Sequence, residues 1–119
     1  MPAHPLNALV TTLRRRPGVE AAVVVSPDGL AIVQDAAPGV DPEHLAAQAP
    51  LVLHALGDQA ERAGRGPLRI AVLDHEGGGL VMAPLSPEAT LLVVTAAVCD
   101  RATLLTDLRQ YRQHLALLA

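Results

Sequence analysis

Four residues do most to limit what this chain can fold into. Ser26-Pro27-Asp28-Gly29 parts two apolar runs, one holding Val23-Val24-Val25 and the other Ile32-Val33. Proline presets φ at the first central position of a turn, and Asp-Gly supplies residues that tolerate positive φ. A β-hairpin is predicted, with strands over 20–26 and 30–34.

Helical spacing flanks that hairpin on both sides. Leu6, Leu9, Val10 and Leu13 recur at steps of three and four after Pro5, which suits a first helical position. Arg14, Arg15 and Arg16 close this helix, placed to complement its dipole and to reach its last carbonyls, and Pro17-Gly18 ends it. Beyond a loop at 36–39, Asp41-Pro42-Glu43 opens a second helix with an Asp cap, a first-position proline and an acid in the first turn. This helix is predicted over 41–63. Leu45, Ala49, Val52, Leu56, Ala60 and Ala63 form its stripe, Leu53 widens it, and Leu51 and Ala55 are apolar off it. A helix apolar on more than one face is expected to contact its own sheet and something else. Pro50 removes a backbone hydrogen bond and predicts a kink, while Gly57 costs about 1 kcal/mol against alanine and suits close helix approach.

Strands are predicted over 68–74, 80–85 and 90–98, with 75–79 as a loose hairpin and the last, most hydrophobic strand central. Leu104, Leu108, Tyr111, Leu115 and Leu118 make a clean seam on a closing helix. The order α-β-β-α-β-β-β-α predicts one α+β domain spanning 1–119.

Half of the residues are hydrophobic, yet Phe and Trp are absent and Tyr111 is the only aromatic. With a mean hydropathy of +0.32, small aliphatics exceed what a small core needs, and the surplus predicts an interface, most simply a homodimer. All nine basic residues are arginine and the net charge is −3. Without a basic stripe or stacking aromatics, nucleic acid is not an expected partner. Cys99 stands alone, Met1 to Pro5 carry no basic-then-apolar signal pattern, and the longest apolar stretch is too short to span a bilayer. A soluble, cytoplasmic protein is expected.

No residue cluster reads as a reaction centre. Lacking lysine, the chain has neither Schiff-base chemistry nor the lysine of a phosphate-binding loop, and Gly77-Gly78-Gly79 precedes no helix start. His4, His44, His54, His75 and His114 show no metal-ligand spacing. Asp74-His75-Glu76 reads as a solvated hairpin tip, and Cys99 as a buried strand-end cysteine with no positioned base. No catalytic, cofactor or metal residue is assigned, and no enzyme is expected.

The run from Pro17 to Leu30, Pro-Gly-Val followed by a valine strand and an Asp-Gly turn, resembles the first hairpin of the Roadblock/dynein light chain family. The order and lengths of the remaining elements agree over nearly the whole chain. The resemblance implies a five-stranded antiparallel sheet, with the two terminal helices on one face and the long central helix on the other. It also implies a homodimer built through the helix over 41–63 and the edge strand over 68–74. On these elements the expected dimer or partner interface comprises Leu45, Gln48, Ala49, Val52, Leu56, Gln59 and Ala60 of the helix, with Arg69 and Ala71 of the strand.

Functionally, the resemblance implies a non-enzymatic regulator of a Ras-like small GTPase, acting on the GTPase's own loops and supplying no arginine finger. Gln48, Gln59 and Glu61 are its polar contact candidates, and neither Arg62 nor Arg65 has a context that marks a finger. Two other classes stay open: a structural scaffold in a signalling or motility complex, and a small-molecule sensor. The lack of aromatics and of convergent polar residues weighs against the sensor.

Overall fold

A computed structural model describes residues 5–118, with side chains from 6 to 112. Expectations for His4, and for the side chains of His114, Leu115 and Leu118, fall outside the described residues. The elements are α1 (Pro5–Arg14), β1 (Val19–Val25), β2 (Ala31–Ala36), α2 (Pro42–Arg62), β3 (Ala71–His75), β4 (Gly78–Ser86), β5 (Ala89–Ala96) and α3 (Arg101–Leu118). Every strand pair is antiparallel, in the order β2-β1-β5-β4-β3. The hydrophobic 89–96 strand is therefore central, as its composition predicts.

The valine run of β1 is apolar throughout because it is buried on both faces. Ala22 and Val24 face α1 and α3, packing with Leu9, Val10, Leu13, Leu104 and Leu108. Val23 and Val25 face the other way, toward Ala46 and Ala49 of α2. Terminal helices thus cover one face and the central helix the other. Each fully buried leucine, such as Leu13 or Leu104, contributes about 1.5–3 kcal/mol.

α2 begins as expected. Asp41 accepts hydrogen bonds from the backbone N–H of Glu43 at 3.1 Å and of His44 at 3.2 Å, a cap worth about 1 kcal/mol. The helix continues unbroken through Pro50 to Arg62. Among the described residues, no helix is long and apolar enough to cross a membrane.

Several expectations need correction. Leu30 lies outside β2: it closes the turn, its carbonyl accepting from the Ser26 N–H at 2.9 Å and its N–H donating to the Ser26 hydroxyl oxygen at 3.2 Å, and Ile32 is the extra residue of a bulge between Val24 and Val25. β3 starts at Ala71, not at Leu68. Its register pairs Ala71 with Met82, so extension would set Arg69 opposite Pro84. Pro84 has no N–H to give and its carbonyl accepts from Arg112 Nε at 2.7 Å, which leaves the ladder nothing to continue on.

β5 stops at Ala96, whose N–H donates to the Gly18 carbonyl at 2.7 Å. The chain then leaves the sheet, so Val98 is 89% exposed and Cys99, read as buried at a strand end, is half-buried in the loop before α3. Arg14, the last residue of α1, and Arg16 find partners beyond that helix. Arg14 donates to the Val19 carbonyl at 3.0 Å and pairs with Asp35 at 3.7 Å, while Arg16 pairs with Asp107 of α3. They tie α1 to β1, β2 and α3.

Asp100 caps α3, accepting from the Thr103 hydroxyl at 2.7 Å and the Thr103 N–H at 3.1 Å. The Thr103 hydroxyl, then its N–H, with help from the charge of Arg16, holds the Asp100 carboxyl below its ordinary value. A carboxyl lowered in the folded state stabilises the fold above the unfolded-chain value, and that contribution is lost as pH falls through the folded one. Asp100→Ala is therefore expected to lower the melting temperature at pH 7, with the gap from the parent closing in acid. Thermal melts of both proteins across that range check it; a gap constant with pH overturns it.

Candidate interaction surface

α2 lies over β1 and β2, to one side of the sheet. Its flank reaches Met82 on β4 and Leu92 on β5, with Ala71 and Leu73 of β3 partly buried beside them. Between the helix and these strands a cavity of about 80 Å³ opens, walled by Leu45, Gln48, Ala49 and Val52 on one side and Leu73, Leu80, Met82 and Leu92 on the other. Gln48 is its only polar side chain.

The helical spacing of residues 45, 48, 49 and 52 puts these four on one flank, while Leu80 and Met82 share a sheet face because strands alternate with period two. The cavity abuts β3, the terminal strand of the sheet.

The structure brings Leu45, Gln48, Ala49 and Val52 into this one groove. Leu56 is packed against the sheet cluster, Ala60 is half-buried farther along the helix, and Gln59 is exposed. Ala71 opens β3 and packs with the cluster, whereas Arg69 is exposed in the segment before β3 and lies off the strand that was to hold it. The strand wall of Leu73, Leu80, Met82 and Leu92 escaped sequence reasoning. Alternation places each on a face, but only the strand order tells which helix that face meets.

Leu51 stands 77% exposed on α2, and Val52 is 37% exposed. The helix is thus apolar beyond its sheet contacts, as apolar residues on more than one face predict. Gly57 shows the same openness, since a Cβ there would meet nothing within 4 Å. Arg62 forms an exposed ion pair with Asp58 at 2.9 Å, worth about 0.3–0.5 kcal/mol on a helix surface. Asp74 and His75, read as turn residues, belong to β3, and Asp74 pairs with Arg101 at 2.8 Å. Among the described residues, no three of His, Cys, Asp and Glu converge in a way that would hold a metal ion.

A three-layer α+β module, with one helix set off to the side of a five-stranded sheet, is what this geometry defines. The family model of the Roadblock/LC7 domain matches residues 6–95, and the chain belongs to the Roadblock/LC7 family. Solved structures agree on the fold. A Roadblock/LC7 domain from Streptomyces avermitilis is 23% identical with a TM-score of 0.79, over 94% of this chain and 95% of that one. MglB from Myxococcus xanthus is 16% identical with a TM-score of 0.84, over 95% of this chain and 93% of that one. The gliding protein MglB from Thermus thermophilus is 17% identical with a TM-score of 0.80, over 94% of this chain and 86% of that one. Among curated proteins, none matches the chain.

Proposed function

We propose that this chain is a non-enzymatic, homodimeric regulator of a Ras-like small GTPase, acting in the cytoplasm. One observation carries the reading: the apolar groove between α2 and the strands β3, β4 and β5, open in a protomer whose other sheet face is well covered. Exposed apolar surface of this kind marks an interaction site. A second copy set against α2 and β3 would cover the groove and extend the sheet at its β3 edge. Two α2 helices would then stand side by side, offering Gln48, Gln59 and Glu61 to a partner. Membership of the Roadblock/LC7 family and likeness in fold to gliding proteins support a regulatory module over a catalytic one.

A regulator of a two-state switch must bind its states unequally, because equal affinity shifts nothing. The dimer is therefore expected to separate the GTP-bound from the GDP-bound form of the Ras-like GTPase that copurifies with it. Calorimetric titration against both forms, with single-turnover GTP hydrolysis alongside, measures this. Arg62→Ala and Arg65→Ala should each change hydrolysis less than about twofold, since a finger arginine is worth about 10³–10⁵ in rate. Equal affinity with an unchanged rate leaves a structural scaffold. The washed protein alone should hydrolyse no nucleotide and hold no cofactor; stoichiometric GTP, ATP or zinc would overturn the non-enzymatic reading.

A further inference from the structure

We infer that the free edge of β2, at the end of the sheet away from β3, is a docking site for an extended segment of a partner protein. That segment is apolar in its middle, basic at both ends, and adds one more strand to the sheet. The inference stands apart from the dimer reading, which concerns α2 and the β3 edge.

The backbone of β2 has groups to offer. It is the terminal strand, next to β1, and α1 and α2 lie over its two faces. The Ala37 N–H donates to the Glu20 carbonyl at 2.8 Å, which fixes residues 20 and 37 as a hydrogen-bonded pair. Given the register, alternation makes Ala22–Asp35 and Val24–Val33 the next two such pairs. Val33 and Asp35 therefore spend their backbone groups on β1, while Gln34 and Ala36 turn theirs outward. Among the described residues, no strand lies beyond them.

Apolar surface sits on the same edge. Leu30, just before the strand, is 66% exposed, and Ile32, the bulge residue, is 50% exposed. Natural edges are commonly blunted by lysine, proline or a bulge that twists them away. Here the bulge disturbs only the start of β2, and the register from Val33 to Ala36 is regular. The strand's one charge, Asp35, is drawn back onto Arg14 at 3.7 Å. The edge is thus left pairable.

Charge names the occupant. From Pro17 to Glu61 the chain has no arginine or lysine, while Glu20, Asp28, Asp35, Asp41 and Glu43 gather on the two strands, their turn and the start of α2. A second copy of β2 would bring this acidic edge against itself, and like charges across a strand pair are destabilising. Nucleic acid and anionic lipid are repelled by the same acids. A basic-ended segment meets Asp28 and Asp35, both exposed, with its ends, and Leu30 and Ile32 with its apolar middle. In such strand addition, backbone pairing supplies the affinity and side chains the selectivity.

The test uses the full chain and a synthetic peptide, Arg-Thr-Val-Thr-Val-Thr-Val-Arg, blocked at both termini. Titrated to about 1 mM, it should slow amide exchange at Gln34 and Ala36 by about tenfold or more, read residue by residue by NMR. Val33 and Asp35, bonded to β1, should already be slow without it. The same peptide N-methylated at its two central residues, which lie on its opposite edges, should give no protection. Exchanging its arginine ends for glutamate should weaken binding by about tenfold or more. Gln34→Pro removes an outward N–H that β1 does not use, a change edge strands tolerate. This variant should melt close to the parent and lose the peptide; if it unfolds, the methylated peptide decides alone. No binding at about 1 mM, binding without protection of Gln34 and Ala36, or equal binding of the methylated or glutamate-ended peptide overturns the inference. Protection that grows with protein concentration in the absence of peptide also overturns it, and assigns the edge to a second copy.

Discussion

Gly78→Ala is expected to lower the stability of the fold by about 3–5 kcal/mol, while Gly77→Ala, one residue earlier, changes it by less than about 0.5 kcal/mol. Gly78 opens β4 with φ +143, a conformation L-residues rarely adopt, and a Cβ there would lie 2.2 Å from the Thr95 carbonyl oxygen. That neighbour is backbone in the central strand β5, held by pairing on both sides, so it cannot give way cheaply. Relief would mean pulling the start of β4 off β5, breaking the pairs Gly78–Ala96 and Gly79–Thr95. A Cβ on Gly77 would meet nothing within 4 Å, and the restricted unfolded chain offsets any small local loss. Urea unfolding midpoints of the two variants decide the matter. A Gly78→Ala protein unfolding with the parent would show that β4 does not lie this close to β5.

Those glycines also mark where sequence reasoning ran out. Gly77-Gly78-Gly79 looks like a loose hairpin from composition, yet Gly78 and Gly79 are buried strand residues. Their neighbour is Thr95, sixteen or more residues on, so nothing local announces the close approach. Pro84 likewise ends β3 pairing from a different strand, which period-two alternation over 68–74 cannot register. Arg14 and Arg16 find Asp35 and Asp107 across the fold, where the local reading saw only helix carbonyls.

What was legible is what local physics determines. The Ser-Pro-Asp-Gly turn, the Asp41 cap, the stripe of α2 and the valine strand each follow from residues within a few positions of one another. The same division runs through the groove. Of its helical wall, Leu45, Ala49 and Val52 could be read from periodicity. Its strand wall depends on β5 lying between β1 and β4, an order that neighbouring residues do not encode.

Val52→Arg is expected to turn the dimer into a monomer at micromolar concentration. Val52 lines the apolar groove and is 37% exposed in the protomer, so an arginine there can reach water as long as the protomer stays alone. The protomer should therefore keep its fold. In the dimer the same guanidinium would be shut against Leu73, Leu80, Met82 and Leu92, with Gln48 the one polar side chain near it. An uncompensated buried charge costs about 3–5 kcal/mol, which is roughly two to four orders of magnitude in the dimer dissociation constant. Light scattering behind size exclusion should give about twice 12.4 kDa for the parent and a value near 12.4 kDa for the variant. Leu30→Arg serves as the control, for Leu30 is 66% exposed on the far hairpin and its replacement should leave the mass doubled. If Val52→Arg stays dimeric with its melting temperature unchanged, the groove is not the seam between copies, and the surface that joins them lies elsewhere on the sheet or helices.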